Sequence, residues 1–155
     1  MTNCQNYSTI QTLEISLRNS ITGVQEVKIL ITGANTGIGF ATAEQLVKQG
    51  QHVILACRNP QKAQDAQNKL RSLNQGQVDL ISLDLNSLEL TRKAADEIAD
   101  RYGSLDVLIN NAGVGITGPI EEIPTDEIRN NFETNVFGPI EVMKAVLPQM
   151  RLQKR

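Results

Sequence analysis

From residue 27 onward, short apolar segments alternate with longer segments in which apolar residues recur at helical spacing. Uninterrupted apolar runs of four to six residues are typical of strands that are buried on both faces. Strands are predicted at residues 27–31, 52–56, 78–83 and 105–109. Because helix-length connections join parallel neighbours, the pattern predicts a parallel sheet with helices on both faces.

Residues with helix-terminal preferences mark the predicted helix ends. Gly50 and Gly76 follow the first two helices, and Ser87 is placed to cap the third. Thr125 is placed to cap a long pattern that continues through Ile128, Phe132, Val136, Ile140, Met143 and Leu147. The expected fold class is α/β, a doubly wound Rossmann-type parallel sheet of four strands in the order 3-2-1-4. Strand four would then form an open edge, where self-association is expected.

Residues 1–26 form a polar N-terminal extension. Within it Leu13, Ile15 and Leu17 alternate with polar residues, which suits a short half-buried strand. A poorly ordered terminal segment is the other interpretation, since chain termini commonly behave in that way. The pattern leaves both open.

Composition excludes several functional classes. The 15 Lys+Arg against 17 Asp+Glu give a net charge of -2, without the basic excess of a nucleic-acid binder. No apolar stretch reaches about 18 residues, so no membrane partner is expected. Cys4 and Cys57 are far apart and His52 is the single histidine, so neither a disulfide framework nor a metal site is expected. These features favour a cytoplasmic protein.

A glycine-rich turn lies between the first predicted strand and the first helix, where residues 32–39 read TGANTGIG. Glycine lets the backbone come close to a ligand, and the free N–H groups of a helix start favour a pyrophosphate. The strand–turn–helix context favours a dinucleotide site, whereas the missing Gly-Lys-Ser/Thr disfavours a P-loop. The predicted cofactor-binding residues of this turn are Gly33, Asn35, Thr36, Gly37, Ile38 and Gly39.

The end of the second strand carries Arg58 where NAD sites usually carry a carboxylate. The planar guanidinium suits a 2′-phosphate, so NADP(H) is favoured over NAD(H) as the cofactor. The alternative is that Arg58 is only a solvated cation. Cys57 is interpreted as a small apolar filler.

Four motifs together resemble the short-chain dehydrogenase/reductase family. They are TGANTGIG at residues 32–39, Asp84-Leu85, NNAG at residues 110–113 and TNVFG at residues 134–138. The resemblance covers residues 27–155 and is strongest to the classical type, which includes retinol and hydroxysteroid dehydrogenases. It implies a dinucleotide-binding Rossmann domain in an oxidoreductase that moves a hydride between NADP(H) and a small-molecule carbonyl or alcohol substrate.

The resemblance also implies roles around the cofactor. Asp84 would accept a hydrogen bond from the adenine amino group, while the backbone of Leu85 holds the ring. Small residues would pass the cofactor ribose, at Asn111, Ala112 and Gly113. The alternative for Asp84 is a carboxylate that only stabilises a turn or caps the next helix.

Two further asparagines receive roles from the family pattern. Asn110 would tie strand four to its neighbours. Asn135 resembles the catalytic asparagine, which bends its helix and holds a water in the proton relay. Its alternative is a helix-interior amide bonded to nearby backbone.

The sequence departs from the family pattern at the acid–base residues. The family uses a Tyr four residues before a Lys, with an upstream Ser, for general acid–base catalysis. Here Tyr7 is followed four residues later by Gln11, and Tyr102 by Asp106. The expectation is therefore a chain truncated before the catalytic segment and inactive by itself. A non-catalytic NADP(H)-binding module and a non-functional fragment are the alternatives.

Overall fold

The structure, a computed structural model, describes residues 27–153; the N-terminal extension lies outside the described residues. Strands and helices alternate along the chain. The elements are β1 (Lys28–Thr32), α1 (Gly37–Lys48), β2 (His52–Cys57), α2 (Pro60–Arg71), β3 (Val78–Ser82), α3 (Leu88–Tyr102), β4 (Val107–Ile109), α4 (Thr125–Phe132), a π-helical segment (Glu133–Phe137) and α5 (Gly138–Leu152).

All four strands are parallel and lie in the order β3-β2-β1-β4, which confirms the predicted fold class. In the register of the sheet, Ile29 lies between Val53 of β2 and Val107 of β4. Since β4 pairs with β1 alone among the described strands, it is an edge of this sheet.

Successive side chains of a strand point to opposite faces, so the apolar run of β1 supplies two separate cores. Ile29 and Ile31 pack on the side of α1 and α2, in a cluster that includes Val47 and Leu70. Leu30 packs on the other side, where α3 and α5 cover the sheet. Burial on both faces explains why the strands read as continuous hydrophobic runs.

β4 is shorter than predicted and begins at Val107 rather than at residue 105. The reason is Asp106, whose Oδ2 accepts a hydrogen bond from the backbone N–H of Lys28 at 2.8 Å. Leu105 is buried in the second core but precedes the strand. The apolar run thus located the strand but not its first residue, and within the run only Leu105 is fully buried.

The predicted helix ends are partly confirmed. Gly50 follows α1 with a φ of +79°, and the Ser87 hydroxyl accepts from the N–H of Leu90 at 3.3 Å. The prediction for Gly76 is wrong, because α2 already ends at Arg71. Thr125 is not a cap either: it is the first helical residue, after Pro124, and no side chain caps α4.

The long helical pattern after residue 125 is interrupted by the π-helical segment and does not bury its predicted stripe. The buried residues of α5 are Gly138, Val142 and Val146, and this side packs against α3. The stripe residues Phe132, Val136, Ile140 and Leu147 are exposed instead. Within residues 27–153, no helix combines the length and the apolar character that crossing a bilayer requires.

Candidate functional site

A cleft of about 540 Å³ lies at the carboxyl end of the strands. The loops that follow all four strands contribute to it, together with the start of the π-helical segment. This edge of an open α/β sheet is where ligands bind, at the point where the strand order reverses. The lining residues are Gly33, Asn35, Thr36, Ile38, Gly39, Ala56, Arg58, Asn59, Lys62, Leu83, Asp84, Leu85, Asn111, Ala112, Gly113, Val114 and Thr134.

The floor of the cleft depends on two glycines of the β1–α1 turn. Gly33 has a φ of +66°, and a Cβ there would lie 2.9 Å from Cα of Ala112. A Cβ at Gly39 would overlap Nδ2 of Asn111 and lie 2.8 Å from the carbonyl oxygen of Gly33. The turn is therefore packed so closely that no larger residue fits at either position.

The amino terminus of α1 presents its backbone donors to this cleft. Thr36 precedes the helix in an extended conformation, and its side chain makes no capping hydrogen bond. The N–H groups at the start of a helix have no intrahelical partner. By contrast, α2 and α3 are capped by the side chains of Asn59 and Ser87. The uncapped end of α1 can therefore donate to an anion, which the helix dipole also favours.

Two cations stand at the part of the cleft that follows β2. Arg58 is exposed just before α2, and Lys62 is exposed in the first turn of that helix. Asn59 lies between them and orders the turn, because its Oδ1 accepts from the N–H of Lys62 at 2.9 Å. The positive end of α2 adds to this local field.

The loop after β3 holds Asp84 and Leu85. Oδ1 of Asp84 accepts from the N–H of Asn86 at 3.1 Å, and its carbonyl oxygen accepts from the hydroxyl of Thr91 at 3.1 Å. Leu85 is buried, and its side chain contributes to the second core. The turn-stabilising role considered for Asp84 is thus present, while its contact with adenine stays a prediction.

The tie between β4 and β1 is made by Asn111, not by Asn110 as predicted. Nδ2 of Asn111 donates to the carbonyl oxygen of Thr32 at 2.9 Å. The Thr32 hydroxyl accepts from the backbone N–H groups of Asn111 and Ala112, at 3.0 and 2.9 Å. Asn110 is exposed. Its neighbour takes the structural role because the backbone N–H and the side chain of residue 111 both face the end of β1.

Asn135 lies in the middle of the π-helical segment and reaches across to Val114. Its Oδ1 accepts from the N–H of Val114 at 2.9 Å, and its Nδ2 donates to the carbonyl oxygen of Val114 at 2.7 Å. A π-helical turn inside a helix is frequent at functional sites. The amide is therefore bonded to backbone, and its part in a proton relay stays a prediction.

Every predicted cofactor-binding residue lines the cleft except Gly37. The predicted catalytic residue Asn135 does not line it, although its neighbour Thr134 does. The hydroxyl of Thr134 is hydrogen-bonded to Oδ1 of Asn86, which joins the π-helical segment to the loop after β3. Sequence reasoning missed Lys62, although a second cation in the first turn of α2, close to Arg58, could have been recognised from the sequence. It also missed Val114 and Thr134, for which the sequence carried no chemical signal.

Cys57 is buried at the end of β2. Burial raises the pKa of its thiol, against the opposing effect of the backbone of Ala34 and Asn35. A buried thiol with a raised pKa is a poor nucleophile, which agrees with its interpretation as a filler. Residues 27–153 contain no cluster of three or more acidic, histidine or cysteine side chains that would hold a metal ion.

The sheet topology and the position of the cleft define a Rossmann-type fold. Residues 27–155 match the short chain dehydrogenase family. The chain belongs to this family.

Similar proteins include a short-chain dehydrogenase, anuI, of Penicillium roqueforti, which is 41% identical over 127 residues that make up 81% of this chain and 50% of the relative. The 3-ketodihydrosphingosine reductase of Bacteroides thetaiotaomicron is 39% identical over 127 residues, 82% of this chain and 43% of the relative. The chain thus spans about half the length of these curated relatives.

Solved structures agree with this assignment. The L-sorbose reductase of Gluconobacter frateurii, complexed with NADPH and L-sorbose, has a TM-score of 0.78 and 26% identity, over 84% of this chain and 49% of that one. A metagenomic short-chain oxidoreductase in complex with NADP has a TM-score of 0.78 and 29% identity, over 83% and 58% of the two chains.

Proposed function

We propose that this chain is the cofactor-binding part of an NADP(H)-dependent oxidoreductase that acts on a small-molecule carbonyl or alcohol. The uncapped start of α1, packed against the loop after β4 with Gly39 as the contact, is the observation that carries the proposal. It supplies backbone donors for a diphosphate at the middle of the cleft. The residues present therefore fit a dinucleotide.

The order of the loops sets the orientation of the cofactor. With the diphosphate at the β1 loop, the adenosine half extends toward the loops after β2 and β3. Arg58 and Lys62 then bind the 2′-phosphate, since a guanidinium and an ammonium together match a dianion. Asp84 accepts from the adenine amino group, beside the backbone of Leu85. This placement makes NADP(H) the preferred cofactor over NAD(H).

The other half of the cofactor extends toward the loop after β4, where Ala112 and Gly113 leave room for the ribose. A bound nicotinamide would give a hydride to a carbonyl carbon or take one from an alcohol carbon, which is the chemistry of the cofactor rather than of the chain. Asn135 is the catalytic asparagine of this proposal. The family's Tyr-x-x-x-Lys pair is not found in the 155 residues, in which Tyr7 and Tyr102 are the two tyrosines.

Two similar proteins are named as reductases, one of L-sorbose and one of 3-ketodihydrosphingosine, which supports a carbonyl/alcohol substrate. Residues 27–155 are proposed as one dinucleotide-binding domain. Its compartment in this proposal is the cytoplasm, and its partners are small molecules rather than nucleic acid or membrane.

The proposal is tested by comparing NADPH and NADH binding to the wild type, Arg58→Ala and Lys69→Ala. Removing the guanidinium should weaken NADPH binding about 30-fold and leave NADH binding unchanged, as expected for a charge-assisted hydrogen bond. Lys69 is an exposed cation in the last turn of α2, so its removal controls for net charge. Equal affinities for both dinucleotides before and after the Arg58 change would exclude the 2′-phosphate site.

A second candidate is a non-catalytic NADP(H)-binding module. It is favoured by the sequence itself, since neither tyrosine of the 155 residues precedes a lysine by four positions. Both candidates expect this chain to bind NADPH without oxidising it in the presence of simple carbonyls. Sequencing the transcript past codon 155 separates them. A downstream Ser and Tyr-x-x-x-Lys supports the enzyme, and an immediate stop codon supports the module.

A further inference from the structure

The backbone of Val114 is held by two asparagine side chains. In addition to Asn135, Asn131 in the last turn of α4 donates from Nδ2 to the carbonyl oxygen of Val114 at 2.8 Å. The two asparagines also contact each other, because Nδ2 of Asn135 donates to Oδ1 of Asn131 at 3.1 Å. We call these three residues, Val114, Asn131 and Asn135, the Val114 clamp.

The clamp fixes the orientation of each group in it. The carbonyl oxygen of Val114 has two lone pairs, and it accepts from Nδ2 of both Asn131 and Asn135. Rotating the Asn135 amide by 180° would place its oxygen against the Val114 oxygen and against Oδ1 of Asn131. The backbone of Val114 and Oδ1 of Asn131 therefore favour the same amide orientation of Asn135.

The clamp lies at the end of the cleft opposite Arg58. Val114 lines the cleft beyond Ala112 and Gly113, on the β4 side of the diphosphate loop. A Cβ at Gly113 would lie 3.2 Å from Oδ1 of Asn135, so the loop passes directly over the clamped amide. Given the orientation argued above, this end receives the nicotinamide half of the cofactor.

We propose that Asn131 is a positioning residue for the nicotinamide half of the site. It acts through Asn135 and the backbone of Val114 and does not itself line the cleft. Residues 113 and 114 sit in a loop with no regular structure, so hydrogen bonds from α4 and the π-helical segment are what hold them. The inference rests on the proposed function.

The first test needs no cofactor and follows hydrogen exchange of the Val114 amide in the free protein. Asn131→Leu removes both hydrogen bonds of the side chain at similar size. Asn131→Asp retains an acceptor for Asn135 but places a second oxygen against the Val114 carbonyl. Both should speed exchange at Val114 by about tenfold. The matched control is Asn130→Leu, because Asn130 is exposed and has no side-chain hydrogen bond within residues 27–153.

The second test separates the two halves of the site with two probes. Adenosine 2′,5′-bisphosphate contacts only the adenosine half, whereas NADPH spans the cleft. Asn131→Leu should raise the Kd for NADPH about tenfold and leave the Kd for the bisphosphate unchanged. A change that merely loosened the fold would weaken both probes equally.

The outcomes are distinguishable. Unchanged exchange at Val114 and an unchanged Kd for NADPH in Asn131→Leu would overturn the positioning role. Equal weakening of both probes would also overturn it, in favour of a general structural role. If the wild type binds neither probe, the proposed function fails and the positioning role fails with it, while a protected Val114 amide would still report the clamp.

Discussion

The two ends of the sheet differ in whether their polar groups have partners. At the carboxyl end, the start of α1 has no side-chain cap, and an open cleft extends beside it. At the amino end, charged side chains pair with each other and with the strand backbone. His52 Nε2 lies 2.9 Å from Asp79 Oδ2, and Arg71 Nη2 lies 3.6 Å from Asp79 Oδ1.

At the amino end, the ionisable side chains interact with one another. Burial of Asp79 opposes its ionisation, but the hydrogen bond and charge of His52, with help from Arg101 and Gln77, outweigh burial and hold the pKa of this carboxyl below its usual range. The pKa of Tyr102 is raised, first by burial and then by the negative charge of Asp79. The rings of Tyr102 and His52 pack in a T-shaped arrangement, with 5.7 Å between their centroids.

The comparison teaches that perturbed titratable groups do not by themselves mark a functional site. Structural ion pairs shift pKa values as well. Here the large pKa shift of Tyr102 and the lowered pKa of Asp79 lie at the amino end, remote in the fold from the cleft. The candidate site instead consists mainly of backbone groups and small residues, and such a site has little to titrate.

The largest effect is expected for Gly39→Ala, which should disrupt the cleft at the carboxyl end of the sheet. The added Cβ overlaps Asn111 Nδ2 and crowds the Gly33 carbonyl, so the β1–α1 turn must open. NADPH affinity should fall by about a hundredfold, equivalent to ~3 kcal/mol of overpacking. Calorimetric titration measures the loss. Gly115→Ala is the matched control, since a Cβ there meets nothing within 4 Å. Equal affinities in the two variants would show that close packing at Gly39 is irrelevant to binding.

Asp79→Asn removes the ion pairs at the amino end of the sheet and should affect stability rather than NADPH binding. Losing the carboxylate leaves His52 and Arg71 without their partner, which should lower the free energy of unfolding by about 2 kcal/mol at pH 7. NADPH affinity of the folded protein should not change. Urea denaturation gives the first quantity, and Asp96→Asn, an exposed change on α3, is the control.

The same variant gives a pH dependence with a defined sign. Because the folded-state pKa of Asp79 is lowered, its stabilisation is present above the unfolded value of about 3.9 and is lost as pH falls through the folded value. The stability difference between wild type and Asp79→Asn should therefore shrink below about pH 4. A difference that stayed constant into that range would contradict the assigned role of the carboxylate.

The smallest effect is expected at the edge of the sheet. Val107 is 38% exposed on β4, whose outer side has no partner strand within residues 27–153. We propose weak self-association through this edge, seen in light scattering as a mass that rises with concentration. Val107→Lys should reduce that rise, and Val107→Thr, which keeps the branched side chain, should not. A constant monomer mass for the wild type would remove the proposal.

Sequence patterns predicted the four strands because each strand has a local signal, and the sheet order followed from the doubly wound topology. Buried parallel strands need continuous apolar runs, and each run was visible. They did not identify the buried side of the helices after residue 125, because Phe132 and Leu147 of the apolar pattern are exposed in the described fold. Periodicity identifies an apolar face but not the surface that packs against it.

For the candidate site, the glycine turn and Arg58 were readable because a tight turn and a phosphate each demand a particular residue type. Asn131 and Thr134 were not, since their partners, Val114 and Asn86, are 17 and 48 residues away. The structural role of Asn111 was equally hidden, because its partner Thr32 is 79 residues away in the sequence.

The most direct measurement is an amide ¹H–¹⁵N spectrum of the wild-type chain during titration with NADPH. The account predicts saturable shifts at the amides of Gly37, Ile38 and Gly39, while the amide of Asp79 at the opposite end remains in place. A well-dispersed spectrum of folded protein in which the three amides do not move would contradict it.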